Sequence, residues 1–457
     1  MRRVPLKRNT KPQKEKGGRG TMEQEAKEES LRLIDFIGRS HSAFHAVENM
    51  AQMLKAQGFR ELTMGMPWDV ADLEPCYIKY NGTAVVAFCV CGSMADKGLR
   101  IVASHSDSPT FRVKPNGMRT GSGKAIKLAT ETYGGAILST WMDRPLSLAG
   151  RVMVEGSDAL HPEQHLVDMG RPLGVIPSVA IHFNRGVNEN ASFNKEIDMS
   201  ILAGVGNEDE FADGLIREIG SQLGVERERI LDFDLYAYDT RPGTLAGFND
   251  SLVVCPKQDN LTMAYESVQA MLASQERSGG NVTNRMIVVL DNEEVGSGTK
   301  QGAASALVRD VIRRLTESWG LGEEGYQRTI YNSFLVSADM AHAVHPNHPE
   351  YSDLTNRPVL NGGPVIKYNA QQKYMTDADG AAVFRKVCEL AGVPCQTFVN
   401  RSDMAGGSTL GNIMTCHLPM RGVDVGNPML AMHSCCETGG TLDARYLGLA
   451  LETFLNI

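Results

Sequence analysis

Apolar positions recur along the chain with two different periods, and the switches between them outline its architecture. Over residues 23–59 they return every three or four positions, the period of an amphipathic helix. Leu31, Ile34 and Ile37 share one face; Phe44, Val47, Met50 and Leu54 share a second, which stops near Gly58. Residues 40–42 mark the expected break between two helices. Short runs of strand character follow at 76–79, 83–90 and 100–104. Beyond Asp107, residues 111–256 hold many short β-like pieces punctuated by Gly and Pro, such as 150–154 and 176–183. One convincing helix lies among them, at about 208–223. Helix and strand then alternate again, with helices expected at 261–275, 302–319, 381–391 and 442–455 and strands at 285–290, 333–336 and 395–399. The alternation predicts an α/β fold: a mixed, largely parallel central sheet flanked by helices, with an inserted strand-rich domain. The expected division is a main domain from 22–108 and 250–457, an insert at 109–249 and a basic tail at 1–21.

Composition narrows this picture. Hydrophobic residues make up 42% of 457 and charged ones 22%, which suits two or three domains with a large buried core. No run approaches the roughly 18 apolar residues of a membrane span, so no membrane partner is expected. The nine cysteines are odd in number and scattered through apolar stretches, which favours reduced core thiols in a cytoplasmic protein over a disulfide framework. The formal charge of −8 hides an asymmetry, because residues 1–20 carry +7 and the remainder −15. An acidic body argues against nucleic acid as the main partner. The tail lacks the apolar stretch of a secretory signal and has the composition of a disordered extension.

Candidate chemistry lies where apolar strands end. Ile101-Val102-Ala103-Ser104 runs into His105-Ser106-Asp107; Met286 to Leu290 runs into Asp291-Asn292-Glu293-Glu294-Val295-Gly296-Ser297. Phe334-Leu335-Val336-Ser337 leads to Ala338-Asp339-Met340-Ala341-His342, and Cys255 leads to Asp259-Asn260 at the start of a helix. A fifth contributor is His433. Ligand sites of open α/β sheets collect beyond the carboxyl ends of the strands, so these groups are expected in one crevice. Two imidazoles with three or four carboxylates suit Zn²⁺, Mn²⁺ or Co²⁺, and five ligands with one bridging carboxylate suit two ions about 3.5–4 Å apart. A further carboxylate must move the proton of the attacking water, and the adjacent Glu293 and Glu294 can divide the two tasks. Asp107 would accept the second ring N–H of His105. Each motif also has a plain reading: His-x-Asp is common, paired glutamates are usually solvated, and Asp259 or Asp339 could cap a helix. His342, His345 and His348 are interrupted by Pro346 and Pro349 and suit loop roles better than ligation.

Together, Ser104 to Pro109, Asp259-Asn260-Leu261, Asp291 to Ser297, Ser337 to Pro346 and Met432-His433-Ser434 resemble the aspartyl aminopeptidase family, zinc exopeptidases with two metals per subunit. The match in order and spacing covers nearly the whole chain from about Met22. The resemblance implies a metallo-aminopeptidase acting on short peptides with free N-termini, with a preference for N-terminal Asp or Glu. It implies that His105 and Asp339 bind one metal and Glu294 and His433 the other, with Asp259 bridging and Glu293 as general base. It implies that His182, in Ile181-His182-Phe183, reaches a neighbouring subunit's active site, and that Lys367, Tyr374 and the loop 400–409 line the substrate pocket. It further implies that the insert drives dimerisation and that dimers assemble into a dodecamer. The chain departs from the family in its basic tail, in Cys435-Cys436 before Glu437, and in Gln258. Two alternatives remain: a related dinuclear hydrolase such as a deacylase, and a non-catalytic, assembly-forming homologue.

Overall fold

A computed structural model of the protein describes residues 15–206, 213–276 and 283–457. Three sheets organise the described residues. The central one has nine strands in the spatial order Arg60–Leu62, Pro75–Tyr80, Ala84–Cys89, Arg285–Leu290, Arg100–His105, Phe334–Ala338, Arg421–Gly426, Val365–Tyr368 and Gln396–Val399. Five of its eight pairings are parallel and three antiparallel. Strands such as Arg285–Leu290 are buried on both sides, which is why they read as continuous apolar runs. Their alternate residues nonetheless face different cores. Val85, Val102, Ile287 and Val289 pack with Val47, Met50, Phe384 and Leu447 on one face. Val86, Ile101, Met286 and Val288 pack with Val308, Ile312 and Ile330 on the other.

The second sheet is antiparallel, in the order Glu163–Asp168, Leu146–Val154, Ile230–Asp239, Thr110–Thr120, Ala125–Tyr133 and Ile201–Val205, and has its own core around Phe111, Trp141, Val152 and Leu235. The third sheet, Thr244–Ala246, Leu252–Cys255, Glu437–Gly440, Pro428–Leu430 and Ala341–His342, joins segments nearly two hundred residues apart. Sequence periodicity did not reveal it, because its strands are short and their partners distant. No helix among the described residues is long and apolar enough to cross a membrane.

Several expectations need correcting. The first helix is Glu15–Arg39, so residues 15–21 of the basic tail are helical; residues 1–14 lie outside the described residues. Its buried face is Leu33, Phe36 and Ile37, while Leu31 is 53% exposed. Leu33, Phe36 and Ile37 recur at three and four positions, so the stripe that meets the core keeps Ile37 but is rotated by a residue or so from the expected Leu31-Ile34-Ile37 face. The second helix, Ala43–Ala56, begins with the Ser42 side chain accepting the His45 N–H, as an N-cap should. Residues 176–183 form no strand. The alternation breaks at Ala180, whose carbonyl accepts the N–H groups of Phe183 and Asn184 in a turn, and Val179, Ile181 and Phe183 stay exposed. The helix expected at 302–319 is confined to Leu307–Ser318, and a further helix, Gly322–Asn332, follows it. The helix of the second sheet is Gly214–Leu223, and residues 207–212 lie outside the described residues. Leu33→Ala should lower stability by about 2–5 kcal/mol, and Leu31→Ala by roughly 0.5 kcal/mol or less, as read from denaturant midpoints. Equal losses would show that the helix buries a different face.

Candidate metal centre and active site

Arg285–Leu290, Arg100–His105 and Phe334–Ala338 are adjacent and parallel, with Leu290 opposite His105 and Ser337 opposite Ala103. Their carboxyl ends therefore deliver His105, the Glu293-Glu294 turn and Asp339 to one edge of the central sheet. The third sheet supplies the rest. Asp259 follows Leu252–Cys255, and His433 lies in the connection between Pro428–Leu430 and Glu437–Gly440. Parallel topology and a small second-layer sheet thus bring five groups together that span more than three hundred residues of sequence.

Asp259 sits at the centre. Its Oδ1 lies 3.6 Å from His105 Nε2 and its Oδ2 lies 3.4 Å from His433 Nε2. Asp339 Oδ1 is 3.5 Å from the same nitrogen of His105, and Glu294 Oε2 is 3.3 Å from that of His433. One carboxylate thus offers an oxygen to each of two His-carboxylate pairs. Ligand atoms of His105, Asp259 and Glu294 all lie within 4.8 Å of one another, close enough to hold a metal ion. Among the described residues, Asp259 Oδ1 and Glu294 Oε1 are buried without a hydrogen-bond partner. Orphaned carboxylate oxygens at such depth call for a cation. The donor set, imidazole nitrogen with carboxylate oxygen, fits Zn²⁺ or a similar transition metal.

The electrostatics agree with this. Burial pushes the Glu293 carboxyl up to about 8; His105 opposes the shift, while Asp339, Asp259 and Asp107 add to it. Burial and then Asp259 drive Glu294 well above the ordinary carboxylate range. Burial disfavours a charged His105, but Asp107 and Asp339 outweigh it and hold the imidazole pKa well above the usual value. Burial likewise opposes ionisation of Asp339, yet Lys367 and His105 keep its pKa below the ordinary one. Each acid raises its neighbours, so the cluster as a whole favours added positive charge.

Two further carboxylates hold backbone amides of the site. Asp107 lies with its carbonyl oxygen 3.1 Å and its Oδ1 3.2 Å from His105 Nδ1, and it also accepts the backbone N–H groups of Glu293 and Glu294. Glu437, which sequence reading singled out only as a neighbour of unusual cysteines, accepts the N–H of Asp259 at 3.0 Å and that of His433 at 2.8 Å. No side-chain spacing announces such a role, because the partners are main-chain amides. Gln258, the other departure, is buried and donates to the carbonyls of Val253, Cys255 and Glu437, bracing the same corner.

Lys367 and Tyr374 were expected along the substrate pocket. Both are buried, at 2% and 5% exposure. The Lys367 ammonium donates to the Asp339 carboxylate and to the carbonyls of Asp339 and Met340, and lies 5.1 Å from the Tyr374 ring centre. Lys367 is therefore the cation against the cluster, facing Asp339 rather than an open pocket. His182 is exposed in residues 176–183, outside the group just described, and makes no hydrogen bond among the described residues. His345 and His348 lie with tilted rings 5.2 Å apart at the surface and, with His342, take no part in the cluster's ion pairs. Arg401 pairs with Asp403. His342, Phe398, Arg401, Met404 and Met429 line a cavity whose wall continues to Ala431, two residues before His433.

Comparison with known proteins places this arrangement. The sequence profile of the Aminopeptidase I zinc metalloprotease (M18) family matches residues 36–455. A probable M18 family aminopeptidase 2 of Clostridium acetobutylicum is 44% identical, over 93% of this chain and 98% of its own. Aspartyl aminopeptidase 1 of Schizosaccharomyces pombe is 37% identical, over 95% of this chain and 96% of its own. Among solved structures, the complex of Ape4 and Nbr1 superposes with a TM-score of 0.90 at 36% identity, covering 96% of this chain and 87% of that one. The S. cerevisiae mApe1 dodecamer superposes with a TM-score of 0.81 at 25% identity, covering 93% and 95%. A mixed α/β scaffold, a buried His-carboxylate cluster and full-length likeness converge: the chain belongs to the M18 family of zinc aminopeptidases, hydrolases that act on peptides.

Proposed function

We propose that the protein removes N-terminal residues from peptides at a dinuclear metal centre, with Glu293 as general base. The observation that carries this reading is Asp259, which turns one oxygen to each of two imidazoles that have a carboxylate of their own. His105 and Asp339 would hold one ion, Glu294 and His433 the other, and Asp259 both. Zinc fits the family and the donors best; manganese or cobalt would suit the same ligands. When bound, the ions supply Lewis acidity, polarising the scissile carbonyl and making water a stronger acid.

The chain's own groups do the rest. Glu293 is half-buried beside the ligands without an ion pair among the described residues, so its carboxylate is free to take the proton of the attacking water and return it to the leaving amine. The carboxylates of the cluster supply negative charge for the peptide's free ammonium. Lys367 has all its donors on Asp339 and Met340, so Arg401, on the wall of the cavity that continues to Ala431, would supply the positive charge for an acidic N-terminal side chain, which underlies the proposed preference for Asp or Glu.

The unit built on residues 109–249 is proposed to mediate dimerisation. Its exposed Val179, Ile181 and Phe183 flank His182, so a loop of this kind suits contact with a second copy, where His182 would steady the tetrahedral intermediate. The mApe1 neighbour is a dodecamer, and a homo-oligomer of dimers is the proposed assembly here.

Three measurements test this reading. Glu293→Gln should lower kcat on a free N-terminal peptide by about 10²–10⁴-fold while metal content stays near two ions per chain. Metal loss in that variant would move Glu293 into the ligand set, and turnover only of acetylated peptides by the unmodified protein would mark a deacylase. Glu437→Ala, which frees the amides of Asp259 and His433, should weaken metal retention against a chelator by about 10–100-fold. For specificity, kcat/KM should favour an N-terminal Asp over Leu by roughly 10–100-fold, and Arg401→Met should erase most of that ratio. An unchanged ratio would remove Arg401 from substrate recognition.

A further inference from the structure

We infer that Tyr133, carried by the second sheet, is a positioning residue for the reaction: its hydroxyl fixes the Asp107 carboxylate, which in turn aims Glu293. The inference rests on the reading of Glu293 as the base.

Asp107 is 4% exposed. Its Oδ1 accepts the N–H of Glu293 at 3.2 Å, and its Oδ2 accepts the N–H of Glu294 at 3.1 Å. Those two amides open the single turn Glu293–Val295 that carries both the proposed base and a proposed ligand. The turn is too short to hold its own direction, so an anion at its amino end sets where the two side chains point. Whatever orients Asp107 therefore orients the base.

Tyr133 makes the shortest of these contacts. Its hydroxyl donates to Asp107 Oδ2 at 2.7 Å and accepts from Asn292 Nδ2 at 2.8 Å. The second bond leaves the phenolic proton no better place than Asp107. The Asn292 amide is itself fixed, since its Oδ1 accepts from Thr299 Oγ1 at 2.8 Å and from Gln301 Nε2 at 2.9 Å. Asn292 sits in the left-handed region at φ 61, a conformation that asparagine tolerates, and the chain then enters the Glu293 turn. A directed relay results, from Thr299 and Gln301 through Asn292 and Tyr133 to Asp107 and the amides of Glu293 and Glu294. Burial and the nearby Asp107 and Asp291 carboxylates keep the phenol protonated, which suits a permanent donor.

Tyr133 is the last residue of its strand, and the chain beyond it continues along the site. A side chain on Gly134 would come 3.1 Å from Glu294 Cβ, and one on Gly135 3.2 Å from His433 Nδ1. The Gly135 carbonyl itself lies 3.2 Å from that nitrogen, and Ile137 donates its N–H to the His433 carbonyl at 3.0 Å. The second sheet thus grips the centre from both ends of one short segment. Tyr133 acts on the base side and Gly135 on the His433 side, so a shift of this sheet reaches the reacting groups without touching substrate.

The test compares Tyr133→Phe, Asn292→Gly, their double variant and Glu293→Gln, all as full-length, metal-loaded protein. Phenylalanine keeps the ring packing against Tyr236 and removes only the hydroxyl; glycine keeps the left-handed backbone of residue 292. Tyr133→Phe should lower kcat by about 10–100-fold with KM and metal content unchanged. The double variant should be no slower than Tyr133→Phe alone, because Asn292 acts through the hydroxyl. If Glu293→Gln is inactive but Tyr133→Phe keeps full kcat, the positioning role falls while the base assignment stands. A Tyr133→Phe variant that loses metal or raises KM in step with kcat would show a packing role instead, and would also overturn the inference. An active Glu293→Gln removes the base on which the inference rests.

Discussion

Mutual repulsion among buried carboxylates is the constraint on which the rest of this structure depends. The side chains of Asp259, Glu294, Asp339, Asp107 and Glu437 crowd around the two imidazoles where little water can screen them, with the half-buried Glu293 beside them. Removing even one such ion from water costs several kcal/mol, a penalty that only excellent pairing offsets. The protein supplies part of that pairing with backbone amides, the Lys367 ammonium and the Tyr133 hydroxyl. The oxygens of Asp259 and Glu294 that no protein group satisfies are the share left for metal. An arrangement costly for folding is thereby suited to concentrating positive charge at one place.

The scaffold tolerates this cost because the acids stand at strand ends. The central strands are buried on both faces and fill two cores, so their positions are held by packing on either side. Parallel pairing of three adjacent strands makes their carboxyl ends coincide, and loops leaving that edge can carry polar groups without interrupting the ladder. The third sheet then ties Asp259 and His433 to one another through the pairing of Cys255 with Glu437. Glu437 does double duty there, as a strand residue and as acceptor for the amides of both neighbours.

The second sheet is less an appendage than its separate core suggests. It holds its own apolar cluster, yet its segment from Tyr133 to Ile137 contacts Asp107, Glu294 and His433. Geometry set by one unit is therefore felt by the chemistry of the other. The exposed stretch around His182 lies on the same unit, so the proposed contacts with another copy would be carried by the block that contacts the centre.

Much of this was legible in the chain itself, for a physical reason. Strands buried on both faces must be apolar throughout, so 285–290 stood out with correct bounds, and acidic or imidazole groups directly after such runs pointed to the edge where His105, Glu294 and Asp339 meet. Helices with one buried stripe were equally readable, although Leu31 shows that a stripe can be placed a residue or two astray when propensity is strong all round. What sequence could not disclose were interactions whose partner is distant or is main chain. Glu437 holds amides, Lys367 turns inward to Asp339, and Tyr133 donates across a sheet boundary; none of these leaves a spacing. Alternating apolar residues at 179, 181 and 183 looked like a strand, but with no sheet to bury them the chain folds back in a turn at Ala180, which only the tertiary structure decides. Local patterns record what each segment must bury. Which segments meet, and which buried charge is answered by which donor, is settled only when the whole chain is packed.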